Sequence, residues 1–397
     1  MGGDRIEPFS KAEHEGRWER GRRLMRAAEL DALLLTSEAN FRYVTGFHSQ
    51  TWQSPTRPRY VVLPLDGAPV AVVPQSNLQG MRAADVVGDV RTWPAPRPED
   101  DGVTLVAEAL KACARRFGAI GAELGPESRL GMPAGDFLRL VDMVAPVAVK
   151  DGSAVMRALR MVKSPAEVAR IGRIAGIVSD AFEALPARLA AGETERQVAR
   201  ALQADIILRG AEKTPYVVLE SGPGGYGRTN MGPTDRALEP GDLLFIDTGS
   251  TYDGYWCDYD RHFAIGRPWE SAARAHDVVY RATDAGLAAV RPGARASDLW
   301  RAMAGVLAEA GDAGSVVGRM GHGLGLNITE PPSLTEHDHT VLAPGMVVTI
   351  EPSMSYRAAE LPDAPARLMV HEENVLVTED GSKLLSRRAP REIPVVG

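Results

Sequence analysis

The sequence predicts two domains of different class: an α/β N-terminal domain with a mixed sheet over residues 1–155, then an α+β domain with an antiparallel sheet, built as two equivalent halves, over residues 156–397. Three observations carry this reading. At about 100–200 residues per domain, a chain of 397 residues makes two domains the first expectation. Strand and helix patterns alternate in the first part, whereas the second runs strands, then helices, then strands. Finally, Pro240-Gly-Asp-Leu-Leu-Phe-Ile-Asp247 is echoed by Pro344-Gly-Met-Val-Val-Thr-Ile-Glu351. Each is a Pro-Gly turn, an apolar strand and a carboxylate six residues after the glycine.

Taken in order, residues 15–28 place Trp18, Leu24, Met25 and Ala28 near helical spacing, with Arg17, Arg20, Arg22 and Arg23 as a solvated face. The run 31–36 reads as a buried strand, and 60–64 and 69–74 flank Asp66-Gly67 as a hairpin. A helix near 104–117, a strand near 120–123 and a helix near 134–143 follow. After a helical stretch at 154–161, Lys163-Ser164-Pro165-Ala166-Glu167 is a helix start, with Ser164 as N-cap, Pro165 first and Glu167 third. That helix runs to about 185, and a second opens at Thr194-Glu195 and closes at Gly210. Residues 215–265 are rich in strand and glycine signals, 270–311 are helical, and 313–397 return to strands.

Composition narrows the function. Hydrophobic residues are 44% and charged residues 24%, as in a globular protein with a large core. With 45 basic and 52 acidic residues the net charge is −7, which argues against nucleic acid as partner. Cys113 and Cys257 are too few for a disulfide framework or a Cys-ligated zinc site. No apolar leader and no membrane-length stretch stands out, so a cytoplasmic protein without a membrane partner is expected. Gly222-Pro-Gly-Gly-Tyr-Gly227 fits a dinucleotide fingerprint, but turn residues follow where a helix should open. The sequon Asn327-Ile328-Thr329 has no secretory context to act in.

The chemistry sits in acids. Asp247 ends an apolar strand, and after the turn-forming Thr251-Tyr-Asp-Gly254, Asp258 lies on the returning strand. Two carboxylates side by side repel unless one is protonated or a cation intervenes, and hard oxygen ligands suit Mn²⁺, Fe²⁺ or Co²⁺ as well as Zn²⁺. The second half adds Glu351 at its strand end, Glu372 within Met369-Val-His-Glu-Glu-Asn374, and one imidazole in Gly321-His322-Gly323-Leu324-Gly325. Four carboxylates and a histidine suffice for two metal ions, with Asp258 and Glu372 best placed to bridge.

In these motifs the chain resembles the creatinase/prolidase/methionine-aminopeptidase family, the pita-bread fold, and within it the Xaa-Pro dipeptidase and aminopeptidase P branch. The resemblance spans Asn40-Phe-Arg-Tyr-Val-Thr-Gly-Phe47, Lys163-Ser-Pro165, Asp247 to Asp258, His322-Gly-Leu-Gly-Leu326, Ile350-Glu-Pro352 and Glu372-Glu-Asn-Val-Leu-Val-Thr378. It implies a creatinase-type N-terminal domain over 1–155 and a pita-bread catalytic domain over 156–397. It further implies Asp247, Asp258, His322, Glu351 and Glu372 as ligands of two divalent ions, Mn²⁺ before Co²⁺, Fe²⁺ or Zn²⁺. Glu351 would be the proton shuttle, the substrate a dipeptide or other small carboxylate-bearing molecule, and the assembly a homodimer whose N-terminal domain closes the neighbour's pocket. Trp52, Arg57 and Arg59, in Thr51-Trp-Gln-Ser-Pro-Thr-Arg-Pro-Arg59, fit a projecting loop able to clamp a substrate carboxylate.

Three positions depart from the family. Asn230 and Thr329 stand where Xaa-Pro peptidases carry histidines; as catalytic residues both can donate a hydrogen bond but neither can serve as an imidazolium acid, so either the leaving group needs less protonation or His337, His339 or His371 enters from elsewhere, His371 as a substrate-binding residue. Asp260 replaces a Ser or Thr two residues after Asp258, on the same strand face, as an additional ligand, a second base or a partner for Arg261. The expected activity is a metal-dependent hydrolase of the Xaa-Pro dipeptidase type. The alternatives are a creatine- or ectoine-derivative-type C–N hydrolase, dimethylsulfoniopropionate cleavage (disfavoured by Gly249, where that branch uses Asp), and an inactive peptide-binding module.

Overall fold

The computed structural model describes residues 6–113, 115–311 and 318–396. Expectations for residues 1–5, for position 114 in the helix expected over 104–117, and for 313–317 lie outside the described residues. The chain divides into two compact units between Arg160 and Met161.

The N-terminal unit runs α1 (Lys11–Ala27), β1 (Ala32–Leu35), α2 (Glu38–Thr45), β2 (Tyr60–Pro64), β3 (Val70–Pro74), α3 (Leu78–Ala84), β4 (Asp89–Trp93), α4 (Val103–Ala112), β5 (Ala119–Ala122), α5 (Ala134–Val144), β6 (Ala148–Asp151) and α6 (Ser153–Met161). Its six strands form one mixed sheet in the order β4-β3-β2-β1-β5-β6, antiparallel at β1–β2 and β2–β3 and parallel at the other pairs. Val106, Leu110, Leu140 and Val144 of α4 and α5 pack over Leu34, Val62 and Val72. Leu33, Val61 and Leu63 alternate to the opposite face and are also buried.

Two expectations change here. Helix α4 stops at Ala112 rather than near 117, because the Asp31 carboxylate collects the amides of Arg116, Phe117, Gly118 and Ala119. Nor is Arg17 solvated: its guanidinium lies between the Phe9 and Tyr43 rings, 4.2 and 4.3 Å from their centroids, and donates to the Tyr43 carbonyl. An arginine held between two ring faces is stabilised without full hydration.

The C-terminal unit runs α7 (Pro165–Ala184), α8 (Glu195–Leu208), β7 (Lys213–Pro223), β8 (Asp242–Tyr252), β9 (Tyr255–Ile265), α9 (Glu270–Ala289), α10 (Ala296–Glu309), β10 (His322–Gly323), β11 (Glu330–Ser333), β12 (Val347–Ile350), β13 (Ser353–Tyr356), β14 (Arg367–Val370), β15 (Glu373–Val377), β16 (Ser382–Leu384) and β17 (Val395–Val396). Helix α7 opens with the expected capping box between Ser164 and Glu167, and Glu167 also accepts from Tyr255 Oη at 2.9 Å.

The strands form two sheets, β17-β9-β8-β7 and β11-β10-β12-β15-β16, plus a β13–β14 ribbon. All described pairs are antiparallel except β17–β9, an added parallel edge. Helices α7 and α8 cover the first sheet, with Ile174, Val178 and Leu202 against Ile246, Tyr259 and Phe263. Helices α9 and α10 cover the second, with Val279, Leu299 and Met303 against Val348, Ile350 and Val375. The two halves begin alike: Gly241 and Gly345 turn the chain into β8 and β12 at φ 94° and 89°, values L side chains rarely adopt.

Candidate metal centre

Register decides which acids meet. The Asp253-Gly254 turn has φ 49° and 76°, the two-residue geometry in which both central residues are left-handed. It pairs Tyr252 with Tyr255 and, counting outward, Gly249 with Asp258 and Asp247 with Asp260. Asp247 therefore stands inside β8, which continues to Tyr252, rather than at a strand end, and its direct neighbour is Asp260, with Asp258 on the diagonal. On β7, Tyr216 pairs with Gly249 and Val218 with Asp247, so one face carries Tyr216, Asp247, Asp258 and Asp260. In the second half Ile350 pairs with Glu373, which makes Glu351 and Glu372 the next pair outward.

These side chains converge. Ligand atoms of Asp258, His322 and Glu372 lie within 4.8 Å of one another, all three residues buried. His322 Nε2 is 3.6 Å from Asp258 Oδ2 and 3.5 Å from Glu351 Oε1. Its Nδ1 faces the Gly323 carbonyl at 2.9 Å, which assigns the proton to Nδ1 and leaves the Nε2 lone pair toward the acids. Thr349 Oγ1 accepts from the His322 amide and donates to Glu351 Oε1. Asp247 joins the group electrostatically, and its Oδ1, like Glu372 Oε1, is buried without a hydrogen-bond partner. Asp247 and Glu351 keep partial exposure and form the open side.

Burial without a counter-charge sets the proton affinities. It raises Asp247 to about 7. Burial also raises Glu351 to about 7, opposed by Arg319 and Thr349 and reinforced by Asp247. Asp258 and Glu372 are pushed well above the carboxylate range, first by burial and then by their charged neighbours. Burial lowers His322 to about 4, so its ring is neutral. Clustered acids with orphaned oxygens facing a neutral imidazole are a donor set for hard divalent cations, which would replace the missing counter-charge.

Three contributors escape sequence reading. Tyr216 donates from its hydroxyl to Asp258 Oδ1, and its ring fills the space over Gly249. Asn374 pairs with both backbone groups of Asp258, Oδ1 accepting from its N–H at 3.1 Å and Nδ2 donating to its carbonyl at 2.5 Å, which ties β15 to β9. Arg319, half-buried, lies close enough to lower the proton affinities of Glu351 and His322. Of the three, only Asn374 belongs to a quoted motif.

Each of the other expected residues has surroundings of its own. Asn230 is exposed between β7 and β8, and Thr329 is half-buried just before β11. His337 and His339 are exposed, the latter 3.3 Å from Ser297 on α10. His371, expected to contact substrate, is buried against α9, 3.2 Å from Thr283 Oγ1 and against the rings of His276 and Tyr280. Burial and the charge of Arg388 keep it neutral. Arg59, expected on the projecting loop with Trp52 and Arg57, lines a cavity with them. It is buried, with Nε on Asn77, one terminal nitrogen on the Arg57 carbonyl and the other on Thr51, because a buried guanidinium must be paired. Trp52 packs on Phe41 at 5.2 Å, and Arg57 is exposed. Asp260 is buried beside Asp247.

Known proteins place this architecture. The model for metallopeptidase family M24 matches residues 169–379, and that for the creatinase/prolidase N-terminal domain matches residues 17–162. The chain belongs to metallopeptidase family M24, carries a creatinase-type N-terminal domain, and is a hydrolase of a class that binds divalent metal. It is 33% identical over 376 residues to the probable dipeptidase PepE of Mycobacterium tuberculosis, covering 93% of both chains. The crystal structure of dipeptidase PepE from Mycobacterium ulcerans superposes with a TM-score of 0.83 at 32% identity, over 98% of this chain and 100% of that one. The Xaa-Pro dipeptidase of Pyrococcus furiosus is 30% identical over 233 residues, 59% of this chain and 65% of that protein. No helix among the described residues is long and apolar enough to cross a membrane.

Proposed function

We propose that the protein is a dinuclear-metal dipeptidase of the Xaa-Pro type, with Asp247, Asp258, His322, Glu351 and Glu372 as the ligands. The observation that carries this reading is the convergence of these residues from two sheets, with oxygens of Asp247 and Glu372 buried and unpartnered. Two divalent cations, Mn²⁺ by preference, would supply an activated water and a polarised scissile carbonyl.

The chain's own residues do the rest. Tyr216 donates to Asp258 Oδ1 and favours its ionised form; His322 presents Nε2 because its Nδ1–H donates to the Gly323 carbonyl. Glu351, with Oε1 held by Thr349 on the open side of the site, is the carboxylate placed to take a proton from the attacking water and pass it to the leaving nitrogen. The relatives named dipeptidase and Xaa-Pro dipeptidase support a dipeptide substrate. A broader, non-proline specificity is the second reading, favoured by Asn230 and Thr329 at the two family histidine positions. An inactive peptide-binding module does not fit an intact ligand set. A cytoplasmic homodimer remains the expected assembly by family resemblance.

The test is a panel of Xaa-Pro and Xaa-Xaa dipeptides, with small N-acyl and amidine compounds, assayed with Mn²⁺ and after chelation. Hydrolysis of Xaa-Pro dipeptides that chelation abolishes and Mn²⁺ restores is expected. Failure on every Xaa-Pro dipeptide with turnover of Xaa-Xaa supports the second reading, and turnover of neither peptide class rejects both.

A further inference from the structure

Asp260 has the surroundings of a ligand rather than of a structural acid. It is 1% exposed, and neither carboxylate oxygen has a hydrogen-bond partner. Arg261, the obvious counter-ion, is engaged elsewhere: it donates to the Asp260 and Glu372 carbonyls and to the Glu373 carboxylate, 3.1 Å away. The Arg261 charge and the Glu372 amide ease the burial of Asp260 only in part, and a buried carboxylate without a well-formed hydrogen bond to either oxygen is costly unless a further cation meets it.

Two independent features direct that carboxylate. The first is register. Asp260 faces Asp247 directly across β8–β9 and shares a sheet face with Asp258. In the other half, Glu372 holds the corresponding position, one step beyond the Ile350–Glu373 pair and opposite Glu351. Since Asp247 and Glu351 are counterparts in the repeated segments, the counterpart of Glu372 is Asp260.

The second is the residue behind it. His262 Nε2 lies 2.8 Å from Tyr226 Oη, and that hydroxyl already accepts from the Val370 amide. Tyr226 therefore donates its proton to Nε2, which assigns the imidazole proton of His262 to Nδ1. His262 Nδ1, itself without a hydrogen-bond partner, is 3.9 Å from Asp260 Oδ1. At 3.9 Å this N–H is beyond hydrogen-bond length, but it faces one oxygen from behind and leaves the other directed away from it, the side on which metal-binding acids receive support from their surroundings.

We propose that Asp260 is a sixth protein ligand of the cation pair, on the Asp247 side, with His262 as its positioning residue. The inference rests on the dinuclear reading above. The test uses full-length protein stripped by chelation and reloaded with Mn²⁺ for calorimetric titration and with Co²⁺ for visible absorption. Wild type is expected to take two equivalents. Asp260→Asn is expected to bind one of the two at least about tenfold more weakly and to change the Co²⁺ band intensity, and Asp260→Glu to recover both. His262→Phe, which keeps the ring volume, is expected to weaken affinity without changing the Co²⁺ bands. If Asp260→Asn does not fold, Asp260→Thr enters the same measurements.

Wild-type affinity and an unchanged spectrum in the Asp260 variant overturn the proposal and leave the five-ligand site standing. Weakened affinity with an unchanged Co²⁺ spectrum also overturns it, by making Asp260 a support rather than a ligand. A wild-type protein that binds no metal overturns both readings.

Discussion

At the scale of single residues, the site pairs acids legible in the sequence with supports that are not. Asp247 and Glu351 stand out because each follows a Pro-Gly turn and an apolar run at the same offset. Tyr216 gives no such signal: a tyrosine in a strand reads as a core aromatic until the register lays it over Gly249 and aims its hydroxyl at Asp258. Hydrogen bonds to charged groups contribute about 1.5–3 kcal/mol, so Tyr216→Phe is expected to weaken Mn²⁺ binding by about tenfold or more, measured by calorimetry, with an unchanged far-UV spectrum. The surroundings of the histidine beside Glu372 were not legible either. His371 adjoins Glu372 in sequence, but adjacent side chains along an extended segment point to opposite sides, and His371 points into α9.

At the scale of elements, the helices were the most legible part. Ser164-Pro165 and Thr194 mark their starts, and both caps form as capping boxes. Strand pairing was partly legible: Asp253-Gly254 is a hairpin signal, and counting outward from it gives the Asp247–Asp260 pair. The join between the two sheets was not legible. It depends on Asn374, whose amide does the work of a neighbouring peptide group for Asp258. Asn374→Leu keeps the volume and leaves a buried N–H and C=O unpaired. It is expected to cost about 2–4 kcal/mol in chemical denaturation and to lower metal content, because Asp258 loses its anchor.

At the scale of the whole molecule, a centre that gathers four carboxylates ties stability to pH. For Asp247 and Glu351 the folded metal-free value, about 7, exceeds the ordinary carboxylate value. The stability gained from their protonation is therefore complete below about pH 4 and lost as pH rises to about 7. Metal binding needs the deprotonated forms and tightens over that same window. Both effects widen the gap between metal-loaded and metal-free protein. The difference in melting temperature with and without EDTA is expected to be larger at pH 8 than at pH 5, as differential scanning calorimetry would read. The division into an α/β part and a two-half α+β part was legible from the order of patterns and from the internal echo. The parallel edge strand β17 was not, because two residues, Val395 and Val396, carry too little pattern to assign.

The space above Gly249 has an evolutionary consequence. A β-carbon there would stand 2.3 Å from the Tyr216 ring and 2.8 Å from Ile328 Cδ1. Positions 216 and 249 are thus bound in exchange: descendants of this chain can install a further carboxylate at 249 only by surrendering the phenol at 216. Lineages that drift toward other reactions should show the two substitutions arriving together.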